Sequence, residues 1–395
     1  MTMKAIDLIE LQNRLESLTV FRALLSDKVI SSLLEFIAHP CNSSYCEFVS
    51  NLYNYGFGNL TDYVKSLCDS SDNIVVRLIG QGKCVPDYMK KSLVTELETL
   101  QLLCAVKPCD LQQYIQNCEF LPDFESAEFE LYDYYNHKLD NIGRYGYGIY
   151  SQNTMFCVAD DASLVPVEHP DPIRLSDLFG YDLQKKQIID NTKALLSGKS
   201  AANVLLSGDA GTGKSSTVKA VCNELSGSGL RIVEVYKHQL ALIPRVISEL
   251  SSNPLKFIIF IDDISFSTDD DSFNALKAVL EGSVCAKSDN VVIYATSNRR
   301  HIIKEKFSDR DGDDIHRNDT MQEQISLSER FGLHVSFHKP DKADYLTIVT
   351  KLAEKNGLNI EKSELENGAE RLALQRGGRS PRLALHYINS LLSAD

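Results

Sequence analysis

The chain has 395 residues, enough for two or three domains that each bury a hydrophobic core. Its hydrophobic fraction of 43% and charged fraction of 24% are typical of globular proteins and exclude a wholly disordered or fibrous chain. The net charge of −13 argues against broad, sequence-independent binding of nucleic acid or anionic lipid, although a local basic groove is still permitted.

The first part of the chain indicates a mainly helical domain without a catalytic motif. Apolar residues recur at helical spacing, for example at Leu93, Leu97 and Leu100. A proline-rich stretch beginning at Pro166 then interrupts regular structure and marks a linker. We predict a mainly helical accessory domain over residues 1–160. A tyrosine-rich stretch near its end is interpreted as core or interdomain packing: Tyr132, Tyr134, Tyr135, Tyr145, Tyr147 and Tyr150.

Ten cysteines are spread along the chain without a CxxC pair. Only His39, Cys41 and Cys46 lie close together, which is a weak pattern for a zinc site. We therefore predict reduced, mostly buried thiols. The first residues mix apolar side chains with acids and amides, unlike a secretory signal, and no apolar run approaches the roughly 20 residues of a membrane span. These features predict a cytoplasmic protein with no membrane partner.

Short apolar segments alternate with helical segments from Ala202 onward. Continuous apolar strands separated by helices indicate a parallel sheet covered on both faces, which is a doubly wound α/β core. Helical periodicity returns after Asp341. We predict an α/β domain over residues 161–340 and a small helical lid over residues 341–395. The predicted strands cover residues 203–207, 230–235, 256–261 and 290–295.

The segment GDAGTGKS, residues 208–215, matches GxxxxGK[ST] between a predicted strand and a predicted helix. Its glycines let the backbone curve so that successive amides face a phosphate chain at the positive end of the helix. Lys214 would contact the terminal phosphate oxygens, and Ser215 would bind Mg²⁺. The residues predicted to bind the nucleotide here are Gly208, Asp209, Ala210, Gly211, Thr212, Gly213, Lys214, Ser215 and Ser216.

A phosphate loop requires a carboxylate on the metal side, at the end of another strand. Asp262 and Asp263 follow the apolar run 257–261, and their distance along the chain from Lys214 leaves room for one helix-strand-helix unit. We predict that Asp262 binds Mg²⁺ through water and that Asp263 polarises the attacking water.

Together with these motifs, three further residues resemble the pattern of an AAA+ ATPase. They are Asn298 in YATSN, Arg330 in SERFG and Arg382 in GGRSPR, and they occur in the expected order. Several sequence segments are similar to those of the bacterial AAA+ group known as domain-of-unknown-function family 815. These segments are HPDPIRLSDLFGYDLQKKQ, GDAGTGKSS, DDISF, YATSNRRH and SLSERFGL. The resemblance covers about residues 166–395 and implies ATP as the nucleotide.

The resemblance also implies roles for individual residues. Asn298 would orient the lytic water against the terminal phosphate, and Arg330 would be an arginine finger that enters a neighbouring subunit's site. Arg382 would be the lid sensor of its own subunit, with Arg379 as the competing choice. Gly180 and Tyr181 fall where such proteins pack the adenine. Because the finger acts in trans, the resemblance implies a homo-oligomer, with a hexameric ring as the default.

One residue departs from the family pattern. Many AAA+ ATPases have glutamate after the metal-binding aspartate, whereas this chain has Asp263, whose side chain is one methylene shorter. A shorter base predicts slow or partner-stimulated hydrolysis. The leading hypothesis is a Mg²⁺-dependent ATPase that remodels or loads an unknown protein partner.

Two alternatives remain open. One is a nucleotide-gated binding module or loader with little hydrolysis of its own. The other is a nucleic-acid loader, supported only by Arg299 and Arg300. A protein-threading machine is not supported, because the segment YKHQLA after the second strand of the α/β domain contains no glycine.

Overall fold

The computed structural model describes residues 7–116, 119–264, 271–281, 288–298 and 330–393. The chain divides into two compact units, Met1–Gln152 and Asn153–Asp395. Within the described ranges, no helix is long and apolar enough to cross a membrane.

The first unit is built from short helices around one apolar core. Several helices begin at a side chain that caps the first amides, as Asp27, Asn59 and Asn73 do. The buried carboxylate of Glu96 accepts hydrogen bonds from the amides of Thr19 and Phe21, both at 2.9 Å. The helices are α1 Leu8–Glu16, α2 Lys28–Ala38, α3 Asn42–Gly56, α4 Leu60–Ser70, α5 Ile74–Gly80, α6 Asp87–Cys104, α7 Pro108–Gln112, α8 Leu131–Asp140, α9 Ile142–Tyr145 and α10 Ile149–Gln152, with a 3₁₀ helix at Arg22–Ser26.

Of the tyrosines near the end of this unit, Tyr135, Tyr147 and Tyr150 are buried. Tyr135 packs edge-on against Phe21 and accepts a hydrogen bond from the Asn73 amide. These contacts agree with a packing role.

The second unit contains a sheet of seven strands among the described residues, in the order β2-β1-β4-β5-β6-β3-β7. The pair β1–β2 is antiparallel and every other pair is parallel. The interior strands β3 and β6 are buried along their whole length, as expected for a sheet covered on both faces. The strands are β1 Met155–Val158, β2 Leu164–Pro166, β3 Val204–Gly208, β4 Leu230–Glu234, β5 Lys256–Ile261, β6 Val291–Ser297 and β7 Leu333–Phe337.

The sheet begins earlier in the chain than the sequence predicted. Strand β1 pairs with β4, so residues 153–160 belong to the α/β unit. The division between the two compact units falls between Gln152 and Asn153, whereas the sequence predicted it at residue 160.

Helices follow the parallel strands, and three further helices form the C-terminal part of the unit. The C-terminal helices pack around an apolar cluster of their own that includes Tyr345, Val349 and Ile388. The predicted fold class is confirmed: a doubly wound α/β phosphate-loop core with a helical lid, and an N-terminal mainly helical domain. The helices of this unit are α11 Asp182–Leu196, α12 Lys214–Leu225, α13 Ile243–Leu250, α14 Asp271–Glu281, α15 Lys342–Lys355, α16 Lys362–Gln375 and α17 Pro381–Leu392, with 3₁₀ helices at Leu175–Asp177, Ser226–Ser228 and Lys237–Leu242.

Candidate nucleotide site

The phosphate loop joins the end of β3 to the beginning of α12 and depends on glycine at defined points. Gly208 has a φ of +135°, and a Cβ there would lie 2.0 Å from the carbonyl oxygen of Phe337 in β7. Gly213 has a φ of +90° and precedes the first residue of α12. Only glycine adopts such conformations without strain, so the backbone curves tightly where the motif predicted it.

Lys214 lies at the centre of the site and is 5% exposed. Its Nζ donates to the carbonyl oxygens of Gly208 and Asp209, at 3.0 and 2.8 Å, and to Oδ1 of Asn298 at 2.9 Å. Burial lowers the pKa of Lys214, and the carboxylates of Asp263, Asp209 and Asp262 oppose that shift. The ammonium is thus held at the carboxyl ends of β3 and β6.

Ser215 and Asp262 meet at the edge of the sheet although they are far apart in sequence. The Ser215 hydroxyl donates to Oδ1 of Asp262 over 2.6 Å. The same oxygen accepts a 2.5 Å hydrogen bond from Oγ1 of Thr296. A hydroxyl and a carboxylate side by side fit Mg²⁺, which prefers oxygen ligands and usually completes its shell with water and substrate phosphates.

Asp263 occupies a strained position beside this pair. Its φ is +52°, in the left-handed region, and its amide donates to Oγ1 of Thr296 over 2.8 Å. One carboxylate oxygen accepts a 2.8 Å hydrogen bond from Nδ2 of Asn298. Asn298 therefore bridges Lys214 and Asp263, with each end of its amide engaged.

A cavity of about 340 Å³ lies between the phosphate loop, the segment before α11, and helices α15 and α17. Gly180, Tyr181 and Ser216 line this cavity. Gly180 and Tyr181 both have a positive φ. The Tyr181 hydroxyl donates to the carbonyl oxygen of His338 over 2.6 Å, and burial raises the pKa of Tyr181 to about 12. The apolar side of the cavity includes Leu178, Ile348, Leu352, Pro381 and Leu385.

The two arginines considered for the lid have different surroundings. Arg379 is paired with Glu370 through two hydrogen bonds, one of them 3.1 Å long. Arg382 lines the cavity, and its amide donates to the carbonyl oxygen of Gly211 over 3.2 Å. Arg382 is therefore the one that faces the predicted nucleotide position.

Arg330 forms an ion pair with Glu281 at the end of α14, with 2.5 Å between the nitrogen and the oxygen. Its side chain is 28% exposed. Within one chain, the guanidinium of Arg330 is thus paired with the carboxylate of Glu281 and not with a side chain of the site around Lys214. Arg299 and Arg300 lie outside the described residues.

Residues 151–395 match the family model described as "Protein of unknown function (DUF815)", which covers more than half of the chain. This chain belongs to the DUF815 family. The family resemblance drawn from the motifs is thereby confirmed, and the whole candidate site of this DUF815 protein lies within the matched residues. No curated protein matches the chain.

Among solved structures, this DUF815 chain is similar to the Thermotoga maritima RuvB Holliday junction branch migration motor. The identity is 18%, the TM-score is 0.37, and the match covers 55% of this chain and 63% of that one. An arginine-to-alanine variant of the same motor matches at 17% identity and a TM-score of 0.37, covering 56% of this chain and 65% of that one. In both cases the DUF815 chain spans less than two thirds of the motor's length.

Three contacts of the DUF815 site, two made by Thr296 and one by Asp209, were not foreseen from the sequence. Thr296 holds both the side chain of Asp262 and the amide of Asp263. Thr296 and Asn298 are two residues apart at the end of one strand, so their side chains lie on the same face. This spacing could have indicated that Thr296 also belongs to the site. Asp209 accepts a 3.0 Å hydrogen bond from the amide of Lys339, and no sequence pattern pointed to that contact.

Proposed function

We propose that this DUF815 protein binds ATP with Mg²⁺ and hydrolyses it as an AAA+ ATPase, and that the nucleotide cycle drives remodelling or loading of a protein partner. The observation that carries the proposal is the 2.6 Å contact between Ser215 and Asp262, directly beside the buried Lys214. Two motifs separated by 47 positions supply the lysine, hydroxyl and carboxylate that phosphoryl transfer requires.

Each side of the site has a distinct task in this proposal. Ser215 and Asp262 hold Mg²⁺, which when bound neutralises charge on the phosphate chain. The loop amides and Lys214 hold the β- and γ-phosphates at the positive end of α12. The cavity lined by Gly180 and Tyr181 takes the adenine.

For hydrolysis, Asp263 accepts the proton of the attacking water and Asn298 orients that water. Asn298 is hydrogen-bonded to both Lys214 and Asp263. A γ-phosphate would compete for Lys214 and for the amide of Asn298, and so release the carboxylate of Asp263. Arg382 contacts the phosphates of its own subunit, and Arg330 those of a neighbour, which makes a homo-oligomer part of the proposal.

Nucleotide binding is tested with Lys214→Ala. Loss of the ammonium removes the main positive charge at the phosphates, so we expect MgATP affinity to fall at least about 100-fold. Lys219→Ala, in the same helix, is the matched control and should bind MgATP as the natural protein does. Nζ of Lys219 lies 4.0 Å from a carboxylate oxygen of Glu234. Isothermal titration calorimetry measures both. Equal affinity in Lys214→Ala would remove the basis of the proposal.

A second candidate is a nucleotide-gated binding module that holds ATP and hardly turns it over. The observation that favours it is the carboxylate of Asp263, which is short and already hydrogen-bonded to Asn298. Single-turnover phosphate release from protein saturated with ATP separates the two functions. Release on the minute scale at high protein concentration supports the ATPase, and full retention of ATP over hours supports the module.

A further inference from the structure

A second cavity of about 340 Å³ lies on the other side of the lid, and we call it the lid cavity. It is bounded by the turn between α16 and α17, the first residues of α17, the segment after β7, and the tip of the phosphate loop at Ala210. Four of its lining residues are cationic, and no carboxylate belongs to its lining in the described part of the chain. These cations are Lys339, Arg376, Arg379 and Arg382.

Among the described residues, most of this positive charge has no counter-ion. Arg379 is neutralised by Glu370. Within the described ranges, the side chains of Lys339, Arg376 and Arg382 form no ion pair and no hydrogen bond. Three unpaired cations around one cavity, in a chain whose net charge is −13, are an arrangement that repels itself unless an anion is present.

The turn between α16 and α17, which carries part of this positive charge, has an unusual backbone conformation. Gly377 and Gly378 have φ values of +76° and +151°, which place the turn between α16 and α17 in conformations that favour glycine. A Cβ on Gly378 would lie 2.9 Å from Nζ of Lys339. The ammonium of Lys339 thus lies close to this turn.

The lid cavity is separate from the site of the β- and γ-phosphates. Lys214, Ser215 and Asp262 do not line it, and of the phosphate loop only Ala210 does. Arg382 is the residue that it shares with the cavity beside Gly180 and Tyr181. An anion in the lid cavity would therefore lie behind the phosphate loop, not in it.

We propose that the lid cavity is a second oxyanion site that binds a phosphate group. Guanidinium groups match phosphate oxygens with paired, charge-assisted hydrogen bonds, and a lysine adds a point charge at the same group. A phosphate bound to Arg376 and Lys339 connects the lid to the segment that joins it to the sheet. Its occupancy thus stabilises one lid position. The phosphate comes from a free inorganic ligand or from a nucleic-acid backbone.

The test uses the full chain with Lys214→Ala, so that the phosphate loop no longer contributes to phosphate binding. Inorganic pyrophosphate is titrated by calorimetry, and a short single-stranded oligonucleotide is titrated in a parallel arm. We expect the combined change Arg376→Gln with Lys339→Gln to weaken binding of at least one probe by tenfold or more. Arg371→Gln with Lys362→Gln, the same charge loss elsewhere on α16, should change it by less than twofold. The arm in which binding is lost identifies the source of the phosphate.

Equal affinity in the two double variants, or no binding of either probe to the Lys214→Ala chain, would overturn the proposal. Arg376→Lys with Lys339→Arg should restore most of the affinity, because charge is kept, and matching thermal midpoints show that the variants fold. With Lys214 intact, the Arg376→Gln and Lys339→Gln chain should keep its MgATP affinity. Failure of this second site is therefore distinguishable from failure of the proposed ATPase.

Discussion

At the scale of single residues, the site is organised by four side chains at the ends of two neighbouring strands. Thr296 fixes Asp262 and the backbone of Asp263, while Asn298 holds the carboxylate of Asp263. The positive φ of Asp263 costs about 1 kcal/mol or more, which the hydrogen bonds to Thr296 and Asn298 offset. The carboxylates of the two aspartates thereby have different hydrogen-bond partners although the residues are adjacent in sequence.

Asp263→Asn tests the role of the base. The amide keeps the shape of the side chain but accepts a proton poorly, so we expect phosphate release to fall about 100-fold or more while MgATP affinity changes less than about threefold. Steady-state phosphate release and calorimetry measure the two quantities. Asp190→Asn, on the exposed side of α11, is the control and should have normal turnover. Undiminished release by Asp263→Asn would assign the base to another residue.

Residues within local motifs could be predicted, and residues that act through distant contacts could not. The phosphate loop could be predicted because consecutive glycines and one lysine determine its geometry, and Asp262 because it follows an apolar strand. The pairing of Arg379 with Glu370 depends on the packing of α16 against the turn that follows it, so the choice between Arg379 and Arg382 required the structure. The ion pair of Arg330 with Glu281, in contrast, joins segments far apart in sequence.

At the scale of elements, the close packing of β3 against β7 fixes the phosphate loop. The amide of Asp209 donates to the carbonyl oxygen of Phe337 over 3.0 Å, at the same oxygen that a Cβ on Gly208 would meet. The sequence predicted β3 to β6 because their apolar runs are long. Strands β1 and β2 have only four and three residues, too few for a periodic pattern, and their place in the sheet follows from pairing with β4.

Gly208→Ala should destabilise the α/β unit. The new methyl group would collide with the backbone of Phe337 in a conformation that alanine rarely adopts, at a cost of about 2 kcal/mol or more. Gly198→Ala separates the two effects, because Gly198 has a φ of +68° but open space around it, and should cost about 1 kcal/mol. Urea unfolding followed by circular dichroism compares them. Equal losses would mean that contact with β7 does not constrain the loop.

At the scale of the whole molecule, the proposed ATPase is complete only when one chain meets another. Arg330 is paired with Glu281 of its own chain, so reaching a neighbour's phosphates requires exchange of that partner. The exchange is favourable when the neighbour holds a triphosphate, because its charge exceeds that of one carboxylate. In the proposed ATPase, assembly and nucleotide occupancy would thereby be coupled.

Mixing two inactive variants tests this coupling. Arg330→Ala chains bind MgATP but lack the finger, while Lys214→Ala chains have the finger but no bound nucleotide. We expect the mixture to release phosphate at least about fivefold faster than either variant alone, because each Lys214→Ala chain can serve a neighbour's site. The mixture is compared with each variant at the same total concentration. A rate equal to the sum of the separate rates would place the arginine's action within one chain.

The hydrogen bonds of Asp209 have a mechanical consequence. Its amide binds the carbonyl of Phe337 and its carboxylate binds the amide of Lys339, so the exit from the sheet is held at both positions. Any swing of the C-terminal helices must therefore pivot beyond Lys339, at Pro340 and Asp341 just before α15. Pro340 has a restricted φ, which leaves few backbone torsions for the motion. The helices would then turn as one rigid arm about a hinge only two residues long.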